Sequence, residues 1–227
     1  AGYKVAMNMS ANNNDYGFST NTDTHMIKNM EWGAVAYLSH SKYGTCTDGS
    51  CVEVGINNNS DFITGCGAEP SSSGSSDCNE YNTSIGMLAS TTQNVYGVYD
   101  MSGSMSEYTM GNTVSADGKT MLTGESGLDT YPDEKYYDKY SYGTSYNEYK
   151  KSKLGDGIKE VLLDKNDSMS WYTDFIDVPT YKYSWFVRGC YFGGEVIVGL
   201  FSSESDTGDI GDFESGMASN TRVVMIP

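Results

Sequence analysis

Apolar residues recur at helical spacing in one clear stretch of the chain. Ile27, Met30, Ala34, Val35 and Leu38 fall at i, i+3, i+7, i+8 and i+11, the repeat that lines one face of an α-helix. Thr22, Asp23 and Thr24 upstream supply N-cap oxygens, and Gly44 downstream supplies a stop. A second, shorter helix is predicted over Asp156–Leu163. Residues 1–22 are polar and Asn-rich and read as an extended lead-in. Residues 44–92 are predicted to be loops, because runs such as Asn57–Asn59 and Ser71–Ser76 carry no apolar period. Asn94–Tyr99 reads as a short strand or a buried extended segment. Residues 111–130 are rich in Gly and Thr, and 131–149 hold seven tyrosines in no clean period. Trp171–Pro179 is irregular. Strand-like alternation returns near the end, at Tyr183–Val187, Glu195–Phe201 and Thr221–Ile226. The expected fold class is α+β with high irregular content, one long and one short helix. A single domain over 23–227 with a Tyr-rich insert around 131–149 is expected.

The 227 residues suit one large domain or two small ones, and one irregular domain of this size can bury a sizeable core. Thirty acidic against 14 basic residues give a net charge of −16. Clustered Lys and Arg, which phosphate backbones require, are missing, so nucleic acid and anionic membranes are not expected partners. No apolar run approaches the ~20 residues of a membrane span. No leader is visible at Ala1, so a mature or trimmed start is expected. Abundant Tyr, Gly, Ser and Asn suit adaptable binding loops, since Tyr supplies rigid contact area at low entropic cost.

Five cysteines are present. Cys46 and Cys51 bracket a tight loop, and Cys66 and Cys78 bracket a Gly/Ser-rich stretch, so two local disulfides are the preferred pairing. That pairing implies an oxidising, extracellular compartment. Cys190 is left over, as a buried thiol or an intermolecular link. No C-x-x-C pair exists and the histidines are His25 and His40 alone, which argues against zinc.

The run YGVYDMSGSMSEY, Tyr96 to Tyr108, carries the most specific chemistry. Its Asp-x-Ser-x-Ser, at Asp100, Ser102 and Ser104, resembles the metal-dependent adhesion site of von Willebrand A domains. In those domains the motif ends the first strand of a doubly wound sheet and a helix follows. Here the motif comes late, Gly/Thr-rich sequence of poor helix propensity follows it, and no alternation of strands and helices surrounds it.

The same run resembles the YGLYDMSGNVWEW signature of formylglycine-generating-enzyme-like domains. Three further blocks resemble that family in the correct order: HMIKNMEWGAVAYLSHSKYG from His25 to Gly44, SWFVRGCYFGG from Ser184 to Gly194, and Ser219 to Val224. The resemblance implies a C-type-lectin-like fold of the formylglycine-generating type. It also implies a structural calcium ion, held by the side chains of Asp100 and Glu107 and the backbone carbonyls of Gly103 and Met105. Oxygen donors of this kind suit Ca2+.

The enzymes of that family oxidise a cysteine through a copper-binding cysteine pair after the RGG block. Here Cys190 takes the second-glycine position and no second cysteine follows it. One thiolate is a poor site for soft Cu(I), so no catalytic residues are expected. Gly118-Lys-Thr120 lacks the first glycine of a P-loop, because Thr113 stands there.

A non-catalytic branch, the variable proteins of diversity-generating retroelements, resembles the segment from Phe186 to Phe201 and the tail more closely. Arg188, Gly189, Gly199, Phe201 and Arg222 match its framework, and Cys190 and Val198 depart from it. That resemblance implies a ligand surface made of Tyr191, Phe192, Glu195, Val196, Ile197, Ser202, Ser203, Glu204 and Asp206. The expectation is a binding module on a bacterial cell surface or phage virion, with a protein or glycan ligand. The alternative is a structural subunit of a pilus, filament or phage particle, with self-assembly through the same face. A divergent oxidase is a third, weaker reading.

Overall fold

The computed structural model describes residues 2–57, 79–119, 128, 132–163, 168–190, 198–208 and 219–227. It is a mixed α+β arrangement of two helices and several small sheets. No described helix is long and apolar enough to cross a membrane.

The chain opens in helix α1 (Gly2–Asn8), where an extended lead-in was expected. Ala6 is fully buried with Met26, Met110, Tyr137 and Trp185, so the N-terminal segment is anchored to the body through a small side chain. Strand β1 (Asp23–Met26) follows, where an N-cap was expected. It pairs antiparallel with the last strand, β9 (Val223–Ile226).

Helix α2 (Asn29–Ser39) then forms where the period predicts, but on a different face. Asn29, Trp32, Gly33, Ala36 and Ser39 are buried, whereas Leu38 is 59% exposed. The indole decides the phase: Trp32 buries the largest side chain, and its Nε1 donates to the Leu200 carbonyl at 2.9 Å. The helix starts at Lys28, whose backbone N–H donates to Glu31 Oε2 at 2.9 Å. It stops at His40, ahead of Gly44. Gly44 serves instead as a point of close approach, because a Cβ there would lie 2.0 Å from the Ser39 carbonyl.

A two-residue hairpin joins β2 (Cys46–Thr47) to β3 (Ser50–Cys51). Asp48 and Gly49 both have positive φ, as a type I′ turn requires. Cys46 and Cys51 are bonded across it.

The main sheet runs β5 (Asp138–Tyr140), β4 (Ser106–Thr113), β6 (Trp185–Arg188) and β7 (Ser203–Asp206). A short β8 (Ser219–Asn220) pairs with the start of β4. The central strand β4 was not anticipated, because Gly and Asn are depleted in strands. Its Gly111 has a packing reason. A Cβ there would lie 2.7 Å from Asn29 Cβ and 2.9 Å from the Phe186 ring. Gly111→Val should therefore overpack this crossing and cost about 1–3 kcal/mol. Urea unfolding would check it, and a loss below about 0.5 kcal/mol would show that the helix and sheet have room to separate.

Three other expectations are corrected. Asn94–Tyr99 is a turn with one bridge, Ser90 to Tyr99, and Tyr96 is 92% exposed. Residues 156–163 form turns rather than a helix. Asp156 Oδ1 takes the Ile158 N–H at 3.0 Å, a local bond that competes with helix formation. Val198–Phe201 is turn-like rather than strand, while 195–197 lie outside the described residues.

The main core gathers Trp32, Met101, Ile158, Ile176, Phe186 and Phe201. In its midst lies Arg188, fully buried. Its Nη1 donates to Asn29 Oδ1 at 3.2 Å and to the Asp156 carbonyl at 3.0 Å. Tyr140 completes the network by accepting from Asn29 Nδ2 at 2.7 Å and donating to Asp156 Oδ2 at 3.4 Å. Gly189, next in the chain, has φ +77 and would clash through any Cβ with the Met101 carbonyl at 2.8 Å. Cys190 also has positive φ, so this residue occupies a glycine-like backbone position.

Candidate functional site

The Asp100–Glu107 segment folds as a tight turn feeding β4. Asp100, Gly103 and Ser104 all have positive φ. Asn57 fills the turn. Its N–H donates to the Ser102 carbonyl at 2.8 Å and its carbonyl accepts from Ser104 N at 2.8 Å. Its Nδ2 donates to Asp100 Oδ1 at 3.1 Å. Gly103 is required here, since a Cβ would lie 2.6 Å from the Asn57 carbonyl. Asn57 carried no signal in sequence, being one amide in an Asn-rich run.

Glu107 is the second residue of β4, paired with Arg188 on one side and Asn220 on the other. It is 2% exposed. Arg222 reaches it from the link between β8 and β9. One nitrogen, Nη2, donates to Glu107 Oε1 at 2.6 Å and to the Asp100 carbonyl at 2.5 Å. Burial pushes the Glu107 carboxyl up to about 7, against the opposing pull of Arg222. An open, polar cleft runs over these groups, lined by Tyr99, Asp100, Ser104, Glu107 and residues 220–222. Met105 is half-buried in the same turn and its Sδ accepts from Asn220 Nδ2 at 3.6 Å.

The donor set fits a hard cation. Glu107 Oε2 is buried with no hydrogen-bond partner, and the buried hydroxyls of Ser102 and Ser106 in the same turn likewise have none. Asp100, Gly103 and Met105 lie in this turn, and Glu107 follows as the second residue of β4. The adhesion-site geometry is not formed. No described strand leads into Asp100, and Ser102 is fully buried.

The predicted ligand face is less complete. Tyr191, Phe192, Glu195, Val196 and Ile197 lie outside the described residues. Ser202 and Ser203, expected on the surface, are buried. Ser203 Oγ donates to the Asp177 carbonyl at 2.9 Å and Ser203 N to the Phe175 carbonyl at 2.9 Å, so the start of β7 is covered by 175–177. Glu204 and Asp206 are half-buried. Glu204 Oε1 accepts from the Cys190 thiol at 3.2 Å. Asp206 Oδ1 accepts from the Tyr108 hydroxyl at 2.6 Å and from Gly208 N at 2.9 Å.

The chain matches no protein-family model, no curated protein and no solved structure.

Beside β7, the structure adds groups that the sequence pattern left scattered. Ser205 Oγ donates to Asp177 Oδ2 at 3.3 Å. Asp177 Oδ1 is buried without a hydrogen-bond partner, and burial, helped by Glu204, pushes this carboxyl up to about 7. Asp177 also lies within electrostatic range of Tyr146. Tyr146 packs against Tyr183 at 5.8 Å between ring centroids, and Tyr142 against Tyr181 at 6.2 Å. Tyr142, Tyr146 and Tyr181 are exposed. Two stretches distant in sequence thereby form one aromatic surface, through backbone bonds from Val178 N to the Tyr146 carbonyl and Tyr181 N to the Gly143 carbonyl.

The expected pairing of Cys66 with Cys78 falls outside the described residues. Near the formed disulfide, one nitrogen of His40 and the sulfurs of Cys46 and Cys51 lie within 4.8 Å of one another. With the sulfurs bonded to each other, the group offers only an imidazole. His40 Nδ1 is 2.8 Å from the Tyr172 hydroxyl, and its ring lies 4.2 Å from Trp171.

Proposed function

We propose that this chain is a non-catalytic, extracellular binding module of C-type-lectin-like architecture, displayed on a bacterial cell surface or phage virion. It takes a protein or glycan ligand on the face built from β7 and the neighbouring tyrosines. The observation that carries this reading is the pair of tyrosine contacts, Tyr142–Tyr181 and Tyr146–Tyr183, with Tyr142, Tyr146 and Tyr181 exposed, near the Ser205–Asp177 hydrogen bond. Tyrosines give contact area at low entropic cost, and the polar groups beside them give orientation. The disulfide between Cys46 and Cys51 supports an oxidising compartment.

Calcium has a structural part in this reading. Asp100, Gly103, Met105 and Glu107 would hold the ion, which would neutralise the buried carboxylate and stiffen the turn that starts β4.

A printed glycan array and a displayed peptide library are the probes for the ligand. The double variant Tyr146→Ala, Tyr181→Ala should lose about tenfold or more in affinity for whatever the wild type retains, with an unchanged melting temperature. Equal binding by the variant would remove the tyrosines from the site, and no retention by the wild type on either probe would remove the reading itself.

Assembly into a filament or virion is the second reading. It is favoured by the exposed apolar residues Val223, Met225 and Ile226 on the terminal strand, which can pair with another copy. Concentration-dependent sedimentation would support it.

A further inference from the structure

We propose that Arg222 is the resident cation of the Asp100–Glu107 turn, and that calcium binds there only by displacing its guanidinium. The side chain thereby sets the calcium affinity of the turn. This inference rests on the calcium reading above.

The geometry makes the two cations competitors. Arg222 Nη2 takes Glu107 Oε1 at 2.6 Å and the Asp100 carbonyl at 2.5 Å. Glu107 Oε1 belongs to the carboxylate expected to hold the ion, and the second acceptor is the backbone oxygen of the other side-chain ligand. Ca2+ would sit about 2.3–2.6 Å from its oxygens. A guanidinium held on the same carboxylate places a positive charge within a few ångströms of the ion. That repulsion is strong in a half-buried cleft.

The arrangement also leaves a place for the exchange to begin. Glu107 Oε2 is buried and carries no hydrogen bond, so half of the carboxylate is uncommitted while Arg222 holds the other half. The Arg222 side chain is 24% exposed and lines the open cleft, so its head can move into water. Its backbone is fixed independently, because the Arg222 carbonyl accepts from Ile27 N at 2.9 Å. Displacement would therefore move a side chain and leave the β1–β9 pairing in place.

The test is calcium titration by calorimetry on wild type, Arg222→Lys and Arg222→Gln, with melting curves in chelator and in millimolar calcium. Arg222→Gln should bind calcium roughly tenfold more tightly than wild type, which corresponds to about 1.4 kcal/mol. Arg222→Lys keeps the charge and should stay near the wild-type value. Arg222→Gln should also melt lower than wild type in chelator and recover in calcium.

If wild type binds calcium and Arg222→Gln binds it no more tightly, the competition is wrong while the calcium reading stands. If none of the three binds calcium, both fall. Should Arg222→Gln fail to fold, the wild type decides by nuclear magnetic resonance. Slowly rotating, hydrogen-bonded Nη protons of Arg222 should be seen in chelator and lost at saturating calcium. Their persistence at saturation would overturn the proposal.

Discussion

Arg188→Met should destabilise the protein by about 3–5 kcal/mol, although methionine fills much of the same space. Arg188 is fully buried, and its Nη1 satisfies the Asn29 side chain and the Asp156 carbonyl. It is also the cation nearest in effect to two buried carboxyls, Asp156 and Asp174, as well as to Tyr140. Removing it orphans an amide and a carbonyl and leaves Asp156 buried without its counter-charge. The guanidinium also lies 5.9 Å from the Trp32 ring, so the packing of α2 loses a partner too. Against a typical total stability of about 5–15 kcal/mol, this is a large share. Urea unfolding measures it directly. A loss below about 1 kcal/mol would mean that the network holds without its cation. The result bears on function as well, because it would assign Arg188 to the framework beneath the ligand face rather than to ligand contact.

The second large effect is on pH. Burial pushes Asp174 up to about 8, with Glu53 adding to the shift. Burial also pushes Glu53 and Asp177 up to about 7. In the unfolded chain such groups ionise near pH 4. Between about pH 4 and 7 the folded state therefore holds protons that the unfolded state has released. More protons on the folded state mean that stability falls as pH rises. The stabilisation is fully present below the unfolded value and is lost as pH passes through the folded values. Each group of this kind contributes a slope of up to about 1.4 kcal/mol per pH unit within its window. The net charge of −16 adds self-repulsion of the same sign at neutral pH.

The melting temperature should accordingly be highest near pH 5 and fall by roughly 10 °C by pH 8. Asp174→Asn should flatten the curve, because the amide keeps the shape and cannot ionise. A melting temperature that rises from pH 5 to pH 8 would contradict these buried, protonated carboxyls.

Parts of the candidate site were legible before folding. The resemblance of the Tyr96–Tyr108 run placed Asp100, Gly103, Met105 and Glu107 in one segment, and that segment folds as a turn running into β4. Arg222 could be read as a framework residue, but its contact with Glu107 could not, since 115 positions separate Arg222 from Glu107 and nothing local couples them. Ser202 and Ser203 were misplaced for a related reason. The resemblance to the variable proteins placed them on an exposed face, and the approach of 175–177 buries them.

The sequence by itself determined the α+β class, the position of α2, the Cys46–Cys51 disulfide and the strands β6 and β9, while the hairpin that the disulfide spans was read as loop. Each rests on interactions between near neighbours: a helical period, a Gly-containing turn between two cysteines, a run of β-branched and aromatic residues. The tertiary structure decided the rest. It chose the buried face of α2, because one indole needed the core. It made a central strand of the Gly- and Asn-containing segment 106–113, because α2 and Phe186 close on Gly111. It brought Arg222 to Glu107, and Tyr181 and Tyr183 to Tyr142 and Tyr146. These are pairings between distant segments whose energy comes from burial and charge compensation, and such terms exist only once the chain has closed on itself.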